Sequence, residues 1–248
     1  MQKVVIITGA GRGIGAATAM RFSDEGYAVC INYKSNKVTA NALVKSILDK
    51  GGRCIAIQAD VAKEEEVIKL FTQVDKELGM VTVLVNNAGL LRPQMRLVDM
   101  DAERIHHVLT QNVMSAFLCS REAVKRMSTA TGGAGGCIVN ISSAASRLGS
   151  PNEYIDYAAS KGAIDTLTIG LAKEVAAEGI RVNCVRPGLI YTDMHADGGE
   201  PERIERLKSN IPMQRGGQPS EIADAIYWLA SDQSSFSTGC FIDATGGL

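Results

Sequence analysis

The sequence has little excess of charge of either sign. Its 26 lysines and arginines stand against 27 acids, a formal charge of −1, and no run of like charge is longer than Glu64-Glu65-Glu66. Attraction to nucleic acid or an anionic membrane surface through a basic field is thereby excluded. Long apolar runs are missing too: nothing approaches the roughly 18 residues of a membrane span. The apolar stretch at residues 4–7 is too short for the core of a secretory signal. Proline is scarce at 6 residues while glycine reaches 25, a balance of tight turns between regular elements rather than of disorder. The six cysteines, Cys30, Cys54, Cys119, Cys137, Cys184 and Cys240, show no CxxC spacing, so they read as buried reduced thiols and not as a metal site. A cytoplasmic protein without nucleic-acid or membrane partners is expected.

What is present is an alternation. Short runs rich in β-branched residues occur at 4–7, 28–31, 54–57, 81–85, 137–141, 181–185 and 239–242, largely apolar on both faces. That is how parallel strands covered by helices read. Between them lie stretches of helical period: Val67, Leu70, Phe71, Val74 and Leu78 share one face, and Ile222, Ala225, Ile226 and Leu229 another, with Pro219 suited to a first helical turn. The pattern predicts an α/β fold: a single doubly wound parallel sheet of about seven strands with helices on both faces. No boundary interrupts residues 1–248, which read as one dinucleotide-binding catalytic domain. Residues 193–217, rich in glycine at both ends, break the rhythm and suggest a lid over a substrate.

Three stretches carry chemistry. Thr8-Gly9-Ala10-Gly11-Arg12-Gly13-Ile14-Gly15 links the first strand to the first helix, where glycines let the backbone approach a pyrophosphate at a helix N-terminus. The second strand ends in Asn32-Tyr33-Lys34-Ser35 without the acid that would bind a ribose 2′-hydroxyl; Lys34 and Ser35, with Arg12, suit a 2′-phosphate instead. NADP is therefore expected, with NAD left open as a second cofactor. Tyr157 and Lys161 stand four residues apart, on one face of a helix, where an ammonium can lower the phenol's pKa and ready it for proton transfer. Tyr33 and Lys37 share that spacing by chance. Upstream, Ser142 and Ser143 close the fifth apolar run, where ligands gather outside the carboxyl ends of strands. His106 and His107 face different ways on a helix, and His195 reads as a solvated loop residue, with contact to substrate as the alternative; no metal site is expected.

Together with Asp60-Val61, Asn86-Asn87-Ala88-Gly89, Asn112 and Arg186-Pro187-Gly188-Leu189-Ile190-Tyr191-Thr192, these pieces resemble the short-chain dehydrogenase/reductases of about 250 residues, in the family's order and along the whole chain. Segments 146–161 and 183–217 resemble bacterial members named glucose 1-dehydrogenase-like or only as oxidoreductases. The resemblance implies that Tyr157 is the acid/base, Lys161 its modulator and a ribose ligand, Ser143 the holder of the substrate oxygen, and Asn112 a kink residue in a proton relay. It implies cofactor contacts from Gly9, Arg12, Gly13, Ile14, Gly15, Tyr33, Lys34, Ser35, Asp60, Val61, Asn87, Ala88, Gly89, Pro187, Gly188, Ile190 and Thr192. It also implies a homotetramer formed through the helices that hold Asn112 and Tyr157; the face of Ile164, Leu167, Leu171 and Val175 suits that role. Ser143 lies fourteen residues before Tyr157, one more than the family's usual spacing, which keeps Ser142 as the alternative.

The activity so implied is reversible hydride exchange between nicotinamide and a small carbonyl or secondary alcohol. Two other readings stand beside it: a ketoacyl-thioester reductase, which wants basic residues beside the site for an acidic carrier, and a dinucleotide-binding sensor without turnover. Leu90, Leu91, Met95, Met194 and Met213 are candidates for an apolar substrate pocket.

Overall fold

A computed structural model describes residues 2–248. Seven strands appear: β1 (Val4–Ile7), β2 (Ala28–Tyr33), β3 (Arg53–Gln58), β4 (Val83–Asn86), β5 (Gly136–Ile141), β6 (Ile180–Pro187) and β7 (Phe241–Ala244). All pair in parallel in the order β3-β2-β1-β4-β5-β6-β7. Ten helices connect and extend them: α1 (Gly13–Asp24), α2 (Lys37–Asp49), α3 (Glu64–Glu77), α4 (Ala102–Leu109), α5 (Ser115–Met127), α6 (Ala145–Leu148), α7 (Ile155–Val175), α8 (Met194–Asp197), α9 (Arg203–Leu207) and α10 (Pro219–Ala230). The last strand begins at Phe241, two residues later than its apolar run suggests, because Gly239 adopts a left-handed turn there.

Alternation along each strand builds two cores. Val4, Ile6, Ala28 and Cys30 face the layer of α3, α5 and α7, with Phe71, Leu118 and Ala172; Val5, Ile7, Val29 and Ile31 face α1, α2 and α10, with Phe22, Ile47 and Ile226. Truncating a ring as enclosed as Phe22 or Phe71 to alanine costs about 3–5 kcal/mol. Local signals place the helices: the three glutamates sit at the N-terminus of α3, where the helix dipole favours them, and Gln218 and Glu221 form a capping box around Pro219. Five of the six cysteines are buried, but Cys240 is exposed, contrary to expectation, since it precedes edge strand β7. Of the face of Ile164, Leu167, Leu171 and Val175, Ile164 and Val175 are buried within the chain and the two leucines partly so; Met114, Phe117 and Ile169 are among the apolar residues exposed nearby. No helix among the described residues is long and apolar enough to cross a membrane.

The strand order reverses between β1 and β4, where crossovers leave the sheet in opposite directions and open a crevice beyond the carboxyl ends. That crevice positions the site.

Candidate active site

The glycine turn is joined to the end of β4 by short bonds. The Thr8 hydroxyl accepts from the N–H groups of Asn87 (3.0 Å) and Ala88 (2.9 Å), and the Asn87 amide donates to the Thr8 carbonyl at 2.8 Å. Gly9 has φ of +61°, and a Cβ there would stand 3.0 Å from the Ala88 Cα; one on Gly15 would lie 2.6 Å from the Asn87 amide nitrogen and 2.8 Å from the Ala10 Cα. Only glycine permits that approach. Asn32, at the end of β2, accepts from the Gly9 N–H at 3.2 Å and donates to the Ala59 carbonyl at 3.0 Å, binding turn, β2 and β3 together.

A cleft of about 450 Å³ opens over this turn. Of the expected cofactor residues, Gly9, Arg12, Gly13, Ile14, Lys34, Ser35, Asp60, Val61, Asn87, Ala88, Gly89 and Thr192 line it. The first-turn N–H groups of α1 have no acceptor within the helix and so are free for an anion. A glycine-built floor, a helix N-terminus and this volume fit a dinucleotide. Gly15 lies beneath Asn87 rather than on the wall. Tyr33 is a correction: its ring is buried in the α1–α2 core, because β2 remains part of the sheet to that residue and the pleat turns the side chain inward.

The cations expected at a 2′-phosphate already hold carboxylates. Lys34 Nζ lies 2.8 Å from Asp60 and donates to Gln111 at 2.9 Å, while Arg12 pairs with Asp197 and stands 3.7 Å from Asp193. Burial pushes the Asp60 carboxyl up, but Lys34, the Ala62 N–H and Lys63 together hold it below its ordinary value. Gln111, Asp193 and Asp197 were not legible as neighbours of the cleft, since all three come from distant elements.

A second cavity, of about 160 Å³, adjoins the cleft and holds the residues expected to transfer the proton. Ser143, Tyr157, Lys161, Pro187, Gly188, Ile190 and Thr192 line it. The span from Ser143 to Tyr157 contains α6 and a turn in which Gly149, Ser150 and Asn152 all have positive φ; this turn takes up the fourteen-residue spacing and leaves Ser143 on the same cavity wall as Tyr157, while its hydroxyl accepts from the Ala145 N–H at 3.1 Å. Ser142 is buried, and its hydroxyl donates to the Lys161 carbonyl at 3.1 Å.

Lys161 Nζ stands 5.6 Å from the Tyr157 ring centroid and donates to the Ile141 carbonyl at 2.8 Å. Burial pushes Tyr157 up to about 12, opposed by Ser143, and pulls Lys161 down to about 8. The expected lowering of the phenol by the ammonium is not seen in the protein alone: desolvation raises it, and only Ser143 opposes that rise.

Asn112 sits in a π-helical turn, Thr110–Met114, between α4 and α5. Its side chain accepts from the Leu90 N–H (2.8 Å) and donates to the Leu90 carbonyl (3.1 Å) and to Ser160 (3.0 Å), so it clamps the cavity's edge to α7 without lining the cavity. A buried ion pair reinforces the same junction. Arg104 Nε donates to Asp156 at 2.8 Å and its Nη1 to the Pro93 carbonyl at 2.7 Å, while Asp156 accepts from the Tyr157 N–H at 2.9 Å.

Of the expected apolar wall, Leu91 and Met194 are present; Leu90 turns to the cofactor cleft, and Met213 is exposed. His195 is a further correction. It lines the cavity, and its Nε2–H donates to the Ile190 carbonyl at 3.1 Å, because the short helix α8 carries it there. Burial lowers its pKa, so the ring is neutral. Tyr154 also lines the cavity, its phenol donating to the Gly198 carbonyl at 3.3 Å.

Comparison with known proteins agrees with this architecture. A family model described as Enoyl-(Acyl carrier protein) reductase matches residues 9–248. The uncharacterized oxidoreductase YgfF of Escherichia coli (strain K12) is 57% identical over 244 residues, covering 98% of this chain and 99% of that protein. The 3-oxoacyl-[acyl-carrier-protein] reductase FabG of Staphylococcus aureus (strain Mu50) is 38% identical over 248 residues, 100% of this chain and 98% of that one; its counterpart in Staphylococcus epidermidis (strain RP62A) is 36% identical over the same length. The chain belongs to the short-chain dehydrogenase/reductase family of oxidoreductases.

Proposed function

We propose that the protein is an NADP(H)-dependent carbonyl reductase and alcohol dehydrogenase in which Tyr157 is the acid/base. The observation that carries this reading is the convergence of Ser143, Tyr157 and Lys161 on a cavity contiguous with the dinucleotide cleft. A nicotinamide bound in the cleft would supply the hydride-transfer chemistry. The chain's own groups do the rest. Ser143 holds the substrate oxygen by its hydroxyl. Tyr157, whose phenol burial keeps protonated near neutrality, delivers the proton to that oxygen in the reducing direction. Lys161, close to its own titration point near neutral pH, stands beside the ring to return the proton. Asn112 holds Leu90 and Ser160 and so fixes the helix that carries both.

Lys34, Ser35 and Arg12 at the cleft, with no acid at the end of β2, favour NADP over NAD; these residues would hold a 2′-phosphate in place of the carboxylates of Asp60 and Asp197. One domain with a lid at 193–217, a cytoplasmic location and a homotetramer complete the proposal, the last resting on family resemblance and on exposed Met114, Phe117 and Ile169.

The reductases among the relatives favour a ketoacyl-thioester substrate as the second reading. Against an acidic carrier at the lid, its bases are already neutralised: Arg206 pairs with Glu200, Lys208 with Glu205, and Arg215 with Glu221.

The test is oxidation of NADPH against NADH, followed at 340 nm with quinones, diketones, ketoesters and aldoses, in wild type and Tyr157→Phe. Expected is a preference for NADPH and a loss of about 10³-fold in the variant with cofactor binding retained. Near wild-type rates in Tyr157→Phe would remove the acid/base assignment. Tight NADPH binding with no turnover in either direction, sugars included, would favour the sensor.

A further inference from the structure

One wall of the substrate cavity carries an arginine. Arg203, at the start of α9, lines it and is only 9% exposed. A guanidinium enclosed beside a reacting centre ordinarily captures a carboxylate or phosphate. Here its fork is already filled. Nη1 donates to Glu200 at 3.1 Å, Nη2 donates to Glu153, and the plane stands 5.1 Å from the Tyr154 ring centroid. Neither glutamate lines the cavity; both grip the guanidinium from behind. Arg206 completes the cluster, donating to Glu200 at 2.9 Å and lying 3.6 Å from Glu153. Two arginines therefore face two glutamates, with no net charge. Arg206 first, then the Gln94 amide and Arg203, hold the Glu200 carboxyl down to about 2 against its burial, so it is ionised at any working pH.

The other groups on the wall add no anion site. His195 is neutral, the Lys161 ammonium is engaged by the Ile141 carbonyl, and Leu91, Leu148 and Met194 are apolar.

We propose that Glu153 and Glu200 set the charge of the substrate: by neutralising Arg203 they make the cavity select an uncharged carbonyl compound and reject one of equal size that carries a carboxylate. The proposal rests on the carbonyl-reductase reading above. An entering carboxylate sheds its hydration and finds the Arg203 donors already taken by Glu153 and Glu200, so the guanidinium does not repay that cost; Lys161, the other cation on the wall, already donates to the Ile141 carbonyl.

Methyl acetoacetate and acetoacetate are the matched probes, alike except for that charge and the ester methyl. In wild type the ester's kcat/KM exceeds the acid's by about 100-fold. Glu153→Gln keeps the shape and removes one charge, so the ratio moves toward the acid by at least about tenfold, through the acid's KM. Glu200→Gln gives the same direction and serves if the first variant fails to fold. Calorimetric titration of acetoacetate reads the same selection without turnover: no saturable binding to wild type, and binding to the glutamine variants. A wild type that reduces the acid as readily as the ester overturns the proposal, as do folded variants with the wild-type ratio and no acid binding. Silence of the wild type toward both compounds strikes the reductase reading instead, and the titration still decides the charge selection.

Discussion

The cofactor cleft and the substrate cavity share Ile14, Asn87, Gly89, Thr192 and Met194 on their common wall, yet they are made of different materials. The cleft is built from backbone: glycines at van der Waals contact with β4, and amide and hydroxyl groups bonding main-chain atoms within a few residues of the strand ends. The cavity is braced by long side chains bridging distant elements, Arg104 to Asp156 and Arg203 to Glu153. A backbone-built site tolerates almost no change of residue type and binds the same ligand throughout a family. A side-chain-built site can be rewired by single substitutions while the fold stays the same, which is how one scaffold serves many substrates.

The comparison is broken most severely at Arg104. Both members of its pair with Asp156 are nearly enclosed. Arg104→Met leaves a buried carboxylate unpaired beside the Tyr157 amide and should cost about 3–5 kcal/mol in urea unfolding. A loss below about 1 kcal/mol, the range of exposed pairs, would show that water reaches the junction.

On the cleft side, Gly15→Ala forces its new methyl against the Asn87 amide and the Ala10 backbone. Expected are about 2 kcal/mol of lost stability and a weaker NADPH affinity by fluorescence titration, with the effect in the cofactor's KM rather than in kcat. An unchanged affinity would mean that the turn's close packing does not shape the pyrophosphate site.

The smallest effect lies at the seam. Lys161 titrates near 8 when folded against 10.5 when unfolded, so between these values the unfolded chain binds more protons and stability rises with pH; below 8 that contribution is lost. Lys161→Met lacks this slope. Its stability advantage over wild type, greatest near pH 7, should shrink by on the order of 2 kcal/mol as pH climbs through the window. Parallel curves from urea melts at several pH values would place the ammonium in a wetter setting.

The same contrast explains what could be read from the residues. All seven strands were legible because each is a short, largely apolar run, five of them buried on both faces and β3 and β7 at the sheet edges, and the turn at residues 8–15 was legible because close backbone approach demands glycine. Tyr33 was misplaced because β2 extends past its apolar run, so the alternation of the pleat, invisible in a stretch reading Asn32-Tyr33-Lys34, decides where the ring goes. His195 was taken for a solvated residue because nothing in its neighbourhood reports that α8 carries it to the cavity. The pairing of Arg104 with Asp156 and of Arg203 with Glu153 left no signal, because these partners lie about fifty residues apart, and the interleaved charges at 200–208 read as a solvated helix face. Interactions local in sequence, or imposed by sterics, leave a pattern; long-range charge pairing does not.

The central claim is that cleft and cavity act as one reaction site. It is tested most directly by incubating the wild-type protein with NADPH and methyl acetoacetate, then comparing the NADPH consumed with the methyl 3-hydroxybutanoate formed. One alcohol per NADPH is the expected result. NADPH held tightly with no alcohol formed from this or any carbonyl of the panel would contradict it.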